Sequence, residues 1–404
     1  MGEMTWWLRR PLLWVAFAVV SLWLGWQGWI GESAPYGDVS YVYRYWAGAA
    51  ADGGPIVGIS TQWVYPILAL VPILAVNVFG GDTYAFAWIV LVTLANAAGF
   101  AFLLGRQKTA PARRIAAWWW LAFLMALGPI AVARLDSLVT PLAIAGLLYV
   151  FARPATAAVL LTIGTWIKVW PVALVASVFI AGRNRWRIAL AAGITSVSIV
   201  LIAAVLGAGL NVFSFLGQQS SRGLQIESPW ATPFLWMASA HVPGYNVFYN
   251  RELLTFEVSG AGDSISAGIA SLLLVVVVGG LLAHAWLATR RGANPLKLLP
   301  ALSLALVAAL ILFNKVGSPQ YIGWLAAPII AGVVLAPKQF LLPSLAGILT
   351  AILTQLFYPY MYQKVLTLEP AALMALSLRN VLECVIFIVA ICLLATSKVK
   401  PWSK

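Results

Sequence analysis

The residues able to do chemistry in this sequence of 404 are few, and they lie in short polar stretches between long apolar runs. The first stretch is Tyr36-Gly37-Asp38-Val39-Ser40-Tyr41. A carboxylate at Asp38, set among Tyr36, Tyr41, Tyr43, Tyr45 and Trp46, suits a general base that takes a proton from a hydroxyl. The plainer reading makes Asp38 a helix N-cap, a position that Asp favours. A second stretch runs from Ser220 to Trp230 and contains Arg222, Gln225 and Glu227. Arg222 offers a planar fork for phosphate or sugar hydroxyls, and Gln225 and Glu227 can hold sugar hydroxyls beside Trp230 as a stacking face. The plainer reading is a solvated loop. The third stretch, Phe313 to Tyr321, carries Asn314, Lys315, Gln320 and Tyr321. Lys315 stands before a helix start, where cation and helix N-terminus together favour a phosphate; a lysine snorkelling to the headgroups is the alternative. Lys168 in Lys168-Val169-Trp170-Pro171 is a parallel case. Arg134 and Asp136 read as an ion pair, since buried charges are mostly paired, with membership of the same cavity as the alternative.

Positioning these residues falls to the apolar runs. The sequence is 62% hydrophobic and only 9% charged, with a mean hydropathy of +0.92. Soluble domains carry about a quarter charged residues, so this is an all-α polytopic membrane protein. The alternating pattern of a β-barrel is absent. The net charge of +13 comes from short basic clusters between apolar runs, which is a topology signal and no sign of nucleic-acid binding. Cys384 and Cys392 form no disulfide framework, and His241 and His284 no metal site.

The run after Arg9-Arg10 lacks a small-residue cleavage site and reads as an uncleaved first span. Further spans are expected at about 84–105, 115–132, 137–152, 155–167, 171–182, 188–208, 266–289, 298–313, 320–336, 340–357 and 371–396. The apolar run 63–79 poses a parity question that charge answers. If it does not cross, the clusters Arg9–Arg10, Arg106–Arg114, Arg153, Arg183–Arg187, Arg290–Lys297, Lys338 and the tail lysines all face the cytoplasm. These make up 17 of the 25 basic residues, as the positive-inside rule prefers. The expectation is about twelve spans in one integral-membrane unit over 1–404, with both termini cytoplasmic. The outer face then holds two long loops, about 30–83 with interfacial helices and about 209–265 with Arg222 and Glu227.

No phosphate-binding Walker loop, dinucleotide glycine fingerprint, His-Glu-x-x-His or nucleophile elbow occurs. Instead, Gly37-Asp38-Val39 follows the first span and Tyr65-Pro66 opens the next apolar helix. Lys168-Val169-Trp170-Pro171 comes next, then Asn314-Lys315 with Ser318-Pro319-Gln320-Tyr321. With these motifs in this order, the sequence resembles the GT-C superfamily of polyprenyl-phosphate-sugar-dependent glycosyltransferases, specifically glycosyltransferase family 87, the actinobacterial mannosyltransferases. It departs from the family pattern at Val64, where an acid often precedes the Tyr-Pro. It departs again at Arg134-Leu135-Asp136, near which Gln-x-Asn is common.

The resemblance implies a GT-C fold with Asp38 as the general base. It implies a polyprenyl-phosphate-linked mannose donor and transfer with inversion to a glycolipid acceptor, often in α-1,2 linkage, at the extracytoplasmic face of the plasma membrane. Lys315, Arg222 and Lys168 are the expected donor-phosphate ligands. Glu227, Gln225, Asn314, Gln320, Tyr321, Tyr41, Tyr65 and Asp136 are the expected sugar and acceptor ligands. The activated phosphodiester supplies the driving force, so no cofactor or metal is called for. Two other readings stand beside this one: a related enzyme using a polyprenyl-phosphate arabinose or glucose, and a lipid or sugar transporter or flippase.

Overall fold

The computed structural model describes residues 9–30, 35–105, 110–218 and 222–397. Arg106, Lys108, Ser220 and the tail lysines lie outside the described residues.

Every apolar run expected to span contains a helix. We label them α1 (Arg10–Ile30), α2 (Tyr84–Leu104), α3 (Pro111–Leu127), α4 (Asp136–Tyr149), α5 (Pro154–Ile167) and α6 (Val172–Ala181). The second half comprises α7 (Arg185–Val205), α8 (Asp263–Arg290), α9 (Pro295–Leu312), α10 (Ala326–Leu335), α11 (Leu341–Gln355) and α12 (Pro370–Ala395). Among the described residues, eight helices are long and apolar enough to cross a membrane. The shorter ones are α4, α5, α6 and the stretch Pro319–Leu335 that ends in α10. Helices are the form these runs must take, because hydrocarbon offers a backbone no partner except itself. Proline opens α3, α5, α9 and α12, where its missing N–H costs nothing. Gly105 ends α2 at φ +62°, and its N–H donates to the Ala101 carbonyl at 3.0 Å. The centre of the bundle is α9, which is buried on nearly all sides and packs against α12, α6, α8 and α10. A helix that is apolar all round can be stable only in such a place.

Contacts divide the connections between two ends. At one end the Phe102 and Tyr149 rings meet at 4.4 Å, Arg185 donates to Thr289 Oγ1 at 3.0 Å, and Asn294 N–H reaches the Ser397 carbonyl at 3.1 Å. This end carries Arg113, Arg153, Arg183, Arg187, Arg290 and Arg291. The other end gathers the polar stretches. Trp63 N–H donates to Ser214 Oγ at 2.8 Å, and Gln225 N–H to the Lys315 carbonyl at 3.1 Å.

The run 63–79 begins and finishes at this second end. Tyr65 lies against Lys168, Asn77 Nδ2 donates to the Ala47 carbonyl at 3.4 Å, and Arg44 pairs with Asp82 at 3.2 Å. Its helical part, Ile67–Asn77, is only about half a membrane thickness long at the usual rise.

One departure from an all-helical chain lies in the second long loop. Strands β1 (Asn246–Asn250) and β2 (Thr255–Ser259) form an antiparallel hairpin. Val247 faces Val258 and Tyr249 faces Phe256 across it, the kind of pair that favours strands.

Candidate functional site

Asp38 opens a π-helical turn, Asp38–Tyr43, that runs into the helix Arg44–Ala51. The N-cap position of that turn is Gly37, which has no side chain to cap with. Asp38 Oδ2 accepts an ion pair from Arg134 Nε at 2.9 Å. The expected pairing of Arg134 with Asp136 is therefore corrected: Arg134 takes Asp38, and Asp136 takes Lys168 at 3.3 Å. The local reason is that Arg134 sits in the turn before α4 while Asp136 begins the helix. Residues two apart there diverge.

Arg134 is held from several directions. Its Nη1 donates to the Pro35 carbonyl at 2.9 Å and to the Ala133 carbonyl at 2.8 Å, and its Nη2 to Tyr358 Oη at 3.4 Å. Burial works against its charge, but Asp38 and the neighbouring tyrosines outweigh burial and hold it cationic above the usual range. The pair opens onto a polar cavity of about 450 Å³, completed by Glu227, Ser318, Pro319, Gln320, Tyr358, Tyr362 and Gln363.

Glu227 lies in the wall of that cavity, 7% exposed. Tyr362 Oη donates to its Oε1 at 3.2 Å, and Arg379 Nη2 of α12 donates to its backbone carbonyl at 2.8 Å. Arg379 also pairs with Glu383 one turn along α12. Burial pushes the Glu227 carboxyl up to about 7, with Arg379 and the Tyr362 hydroxyl pulling the other way. Among the described residues Glu227 has no ion-pair partner.

The loop carrying Glu227 is clamped to the connection between α9 and α10. Ser228 Oγ donates to the Asn314 carbonyl at 2.7 Å, and Trp230 Nε1 to the Leu312 carbonyl at 3.0 Å. Gly317 lies so close that a Cβ there would overlap the backbone of Glu227 and Ser228. Through its Nε1, Trp230 tethers this loop to the end of α9.

The other expected ligands fall into two clusters beside the cavity. In one, Lys168 lies between Asp136 and the Tyr65 ring, 4.4 Å from its centroid. Burial opposes its charge, yet Asp136 and Tyr65 more than restore it. Trp324 Nε1 donates to Asp136 Oδ1 at 2.6 Å, and Tyr321 stacks on Trp324 at 4.1 Å. In the other, the Gln225 amide, oriented with its nitrogen on the Gly317 carbonyl at 2.7 Å, accepts from Arg222 Nη1 at 3.0 Å. Lys315 is held below its usual range first by burial and then by Arg222, with Glu257 opposing. Lys168, Arg222 and Lys315 do not line the cavity. Asn314 uses its side chain to accept from Val316 N–H at 3.0 Å, and Tyr41 is largely exposed, away from the lining.

Of the expected residues, then, the structure brings Asp38, Glu227 and Gln320 to one cavity. It adds Arg134, Tyr358, Tyr362, Gln363 and Ser318. The tyrosines come from Tyr358-Pro359-Tyr360-Met361-Tyr362, an aromatic run in a short connection that was the available sequence signal. No three His, Cys, Asp or Glu side chains among the described residues come together as a metal-binding set.

The family model for glycosyltransferase family 87 matches residues 63–313, more than half of the chain. This chain belongs to glycosyltransferase family 87. The match is narrower than the full-length resemblance of the motifs: it includes Tyr65, Asp136, Lys168, Arg222, Gln225 and Glu227, whereas Asp38, Asn314, Lys315, Gln320 and Tyr321 flank it. No curated protein matches the chain. Family 87 membership makes the protein a glycosyltransferase, and its apolar helices make it a multi-pass membrane protein.

Proposed function

We propose that this glycosyltransferase moves mannose from a polyprenyl-phosphate-mannose donor to a lipid-linked mannoside of the phosphatidylinositol mannoside or lipomannan type. Transfer inverts the sugar carbon and forms an α-1,2 linkage at the extracytoplasmic face of the plasma membrane. The observation that carries the reading is the Asp38 carboxylate, fixed by Arg134 at the edge of a polar cavity. Such a carboxylate accepts the proton of an attacking hydroxyl, and a fixed orientation is what general-base catalysis requires. A lipid-linked donor is supported by an apolar cleft of about 820 Å³ between Leu68–Pro72 and helices α2, α4, α5 and α7. It reaches Ile167, the residue before Lys168, so an isoprenoid chain lying there brings its phosphate to the polar end of the bundle.

Lys315, Arg222 and Lys168 act on that phosphate from just beyond the cavity wall, through the field they set up rather than as a tight clamp. Lys315→Ala and Arg222→Ala should each raise the apparent donor KM several-fold, with acceptor KM little changed, the size expected for partly exposed charges. Steady-state kinetics with the donor varied at fixed acceptor measures this; unchanged donor kinetics in both variants removes these cations from donor binding.

The orientation follows from charge. With twelve crossings and both termini cytoplasmic, the arginine-rich end faces the cytoplasm and the cavity faces away from it. In a variant lacking Cys384 and Cys392, a cysteine at exposed Ala110 should resist a membrane-impermeant thiol reagent in intact cells. A cysteine at exposed Asp52 should react. The opposite labelling would put the cavity in the cytoplasm. The activity itself is tested by mixing the purified protein, in lipid, with labelled polyprenyl-phosphate mannose and membrane acceptors. Release of a mannosylated glycolipid supports the reading, and transport of donor without product overturns it.

A further inference from the structure

Asp38 is not the only carboxyl group in the cavity. Glu227 faces the same space, nine-tenths buried, with Tyr362 on one carboxylate oxygen and no cation on either among the described residues. The cation nearest it in sequence contacts, Arg379, spends its side chain on the Glu227 backbone carbonyl and on Glu383. Asp38, by contrast, is ion-paired through its Oδ2 to Arg134. A buried acid left without a counter-charge beside a paired one is the arrangement by which a protein keeps one carboxyl protonated and the other ionised.

Resting on the lipid-phosphate donor proposed above, we infer that Glu227 is a catalytic acid that hands a proton to the departing polyprenyl phosphate. The acceptor hydroxyl gives its proton to the Asp38 carboxylate as its oxygen bonds to the sugar C1. The bond between C1 and the phosphate oxygen breaks with its electron pair staying on the phosphate. The Glu227 proton moves to that phosphate, leaving Glu227 as a carboxylate. Asp38 then releases its proton to water, and Glu227 takes one back.

The cavity explains why a proton is needed. Of the described lining residues only Arg134 is cationic, and its Nε is already committed to Asp38. The phosphodiester arrives with one negative charge and leaves as a monoester gaining a second. A proton from Glu227 meets that second charge inside the cavity, where among the described residues no second cation lines the wall. The match in acidity is close: the second proton of a phosphate monoester has a pKa of about 6, and burial places the Glu227 carboxyl near it. The groups facing Glu227 are Tyr358, Tyr362 and Gln363 from the connection after α11, Arg379 with Glu383 from α12, Ser318 and Gln320 from the connection after α9, and Asp38 with Arg134 across the cavity.

The sign of the pH dependence follows. Glu227 must carry its proton, so kcat is full below about 7 and falls as pH rises through that value. Glu227→Gln keeps the shape and a hydrogen-bond donor but has no proton to give. It should lower kcat about 10²–10⁴-fold and abolish the alkaline limb. Tyr362→Phe removes a donor that favours the Glu227 carboxylate, so the alkaline limb should move to higher pH, a shift that a purely structural role does not produce. Both variants are assayed with polyprenyl-phosphate mannose against the wild-type protein, which must itself turn over. If wild type makes product while Glu227→Gln turns over normally, or Tyr362→Phe leaves the limb in place, the proton transfer is wrong and the donor reading stands. If wild type makes no product from that donor, the donor reading fails instead, and the proton transfer fails with it.

Discussion

Replacing Asp38 with Asn should lower sugar transfer by about 10²–10⁴-fold while leaving the protein folded and able to bind donor. The amide is nearly the same size but cannot take the acceptor proton. Folding survives because Arg134, now facing an amide, keeps the Pro35 and Ala133 carbonyls and the Tyr358 hydroxyl as partners. The charge left without its carboxylate is that of Arg134, whose side chain is only 9% exposed, so some loss of stability accompanies the loss of transfer. Single-turnover transfer, paired with donor-dependent thermal stabilisation, separates the two expectations. Near-normal transfer by the variant takes Asp38 out of the reaction.

Arg134→Gln should be almost as damaging, by a different route. The guanidinium joins four groups: the Asp38 carboxylate, two backbone carbonyls and Tyr358. A glutamine side chain is shorter and uncharged and cannot span them. Asp38 loses its fixed orientation, and the cavity loses the one cation that lines it among the described residues. A misplacement of about 1 Å in a reacting group can by itself cost about 10²-fold. Both kcat and the apparent donor KM should therefore suffer, whereas Asp38→Asn should affect kcat alone. If Arg134→Gln changes neither, the ion pair does not orient the base.

How much of this could be read from the chain depends on the distance over which the physics acts. The helices were legible because hydrocarbon enforces long apolar runs. Asp38 stood out because an acid beside a first span has few neighbours to explain it, and the fold places it at the polar cavity. Its partner was not. Arg134 is nearly a hundred positions away and has Asp136 beside it in sequence, so local reasoning joined the wrong acid to it. Lys168 and Lys315 were expected to hold the donor phosphate, and the fold gives the first an aspartate and a tyrosine ring. The tyrosine wall at Tyr358 and Tyr362 depended on a connection whose aromatic run carried no partner in the sequence around it. The hairpin β1–β2 was hidden because its alternation spans only five residues a side.

The grip of Arg379 on the Glu227 carbonyl also orders events in time. Asn380 Nδ2 reaches Thr232 Oγ1 at 2.8 Å, and Trp236 Nε1 reaches Ser377 Oγ at 2.9 Å, so several residues of α12 fasten the same loop. α12 lies far beyond that loop in the chain and is therefore made after it. Until it enters the membrane, the loop bearing Glu227 lacks the groups that seat it, and a chain still being made holds an unfinished cavity.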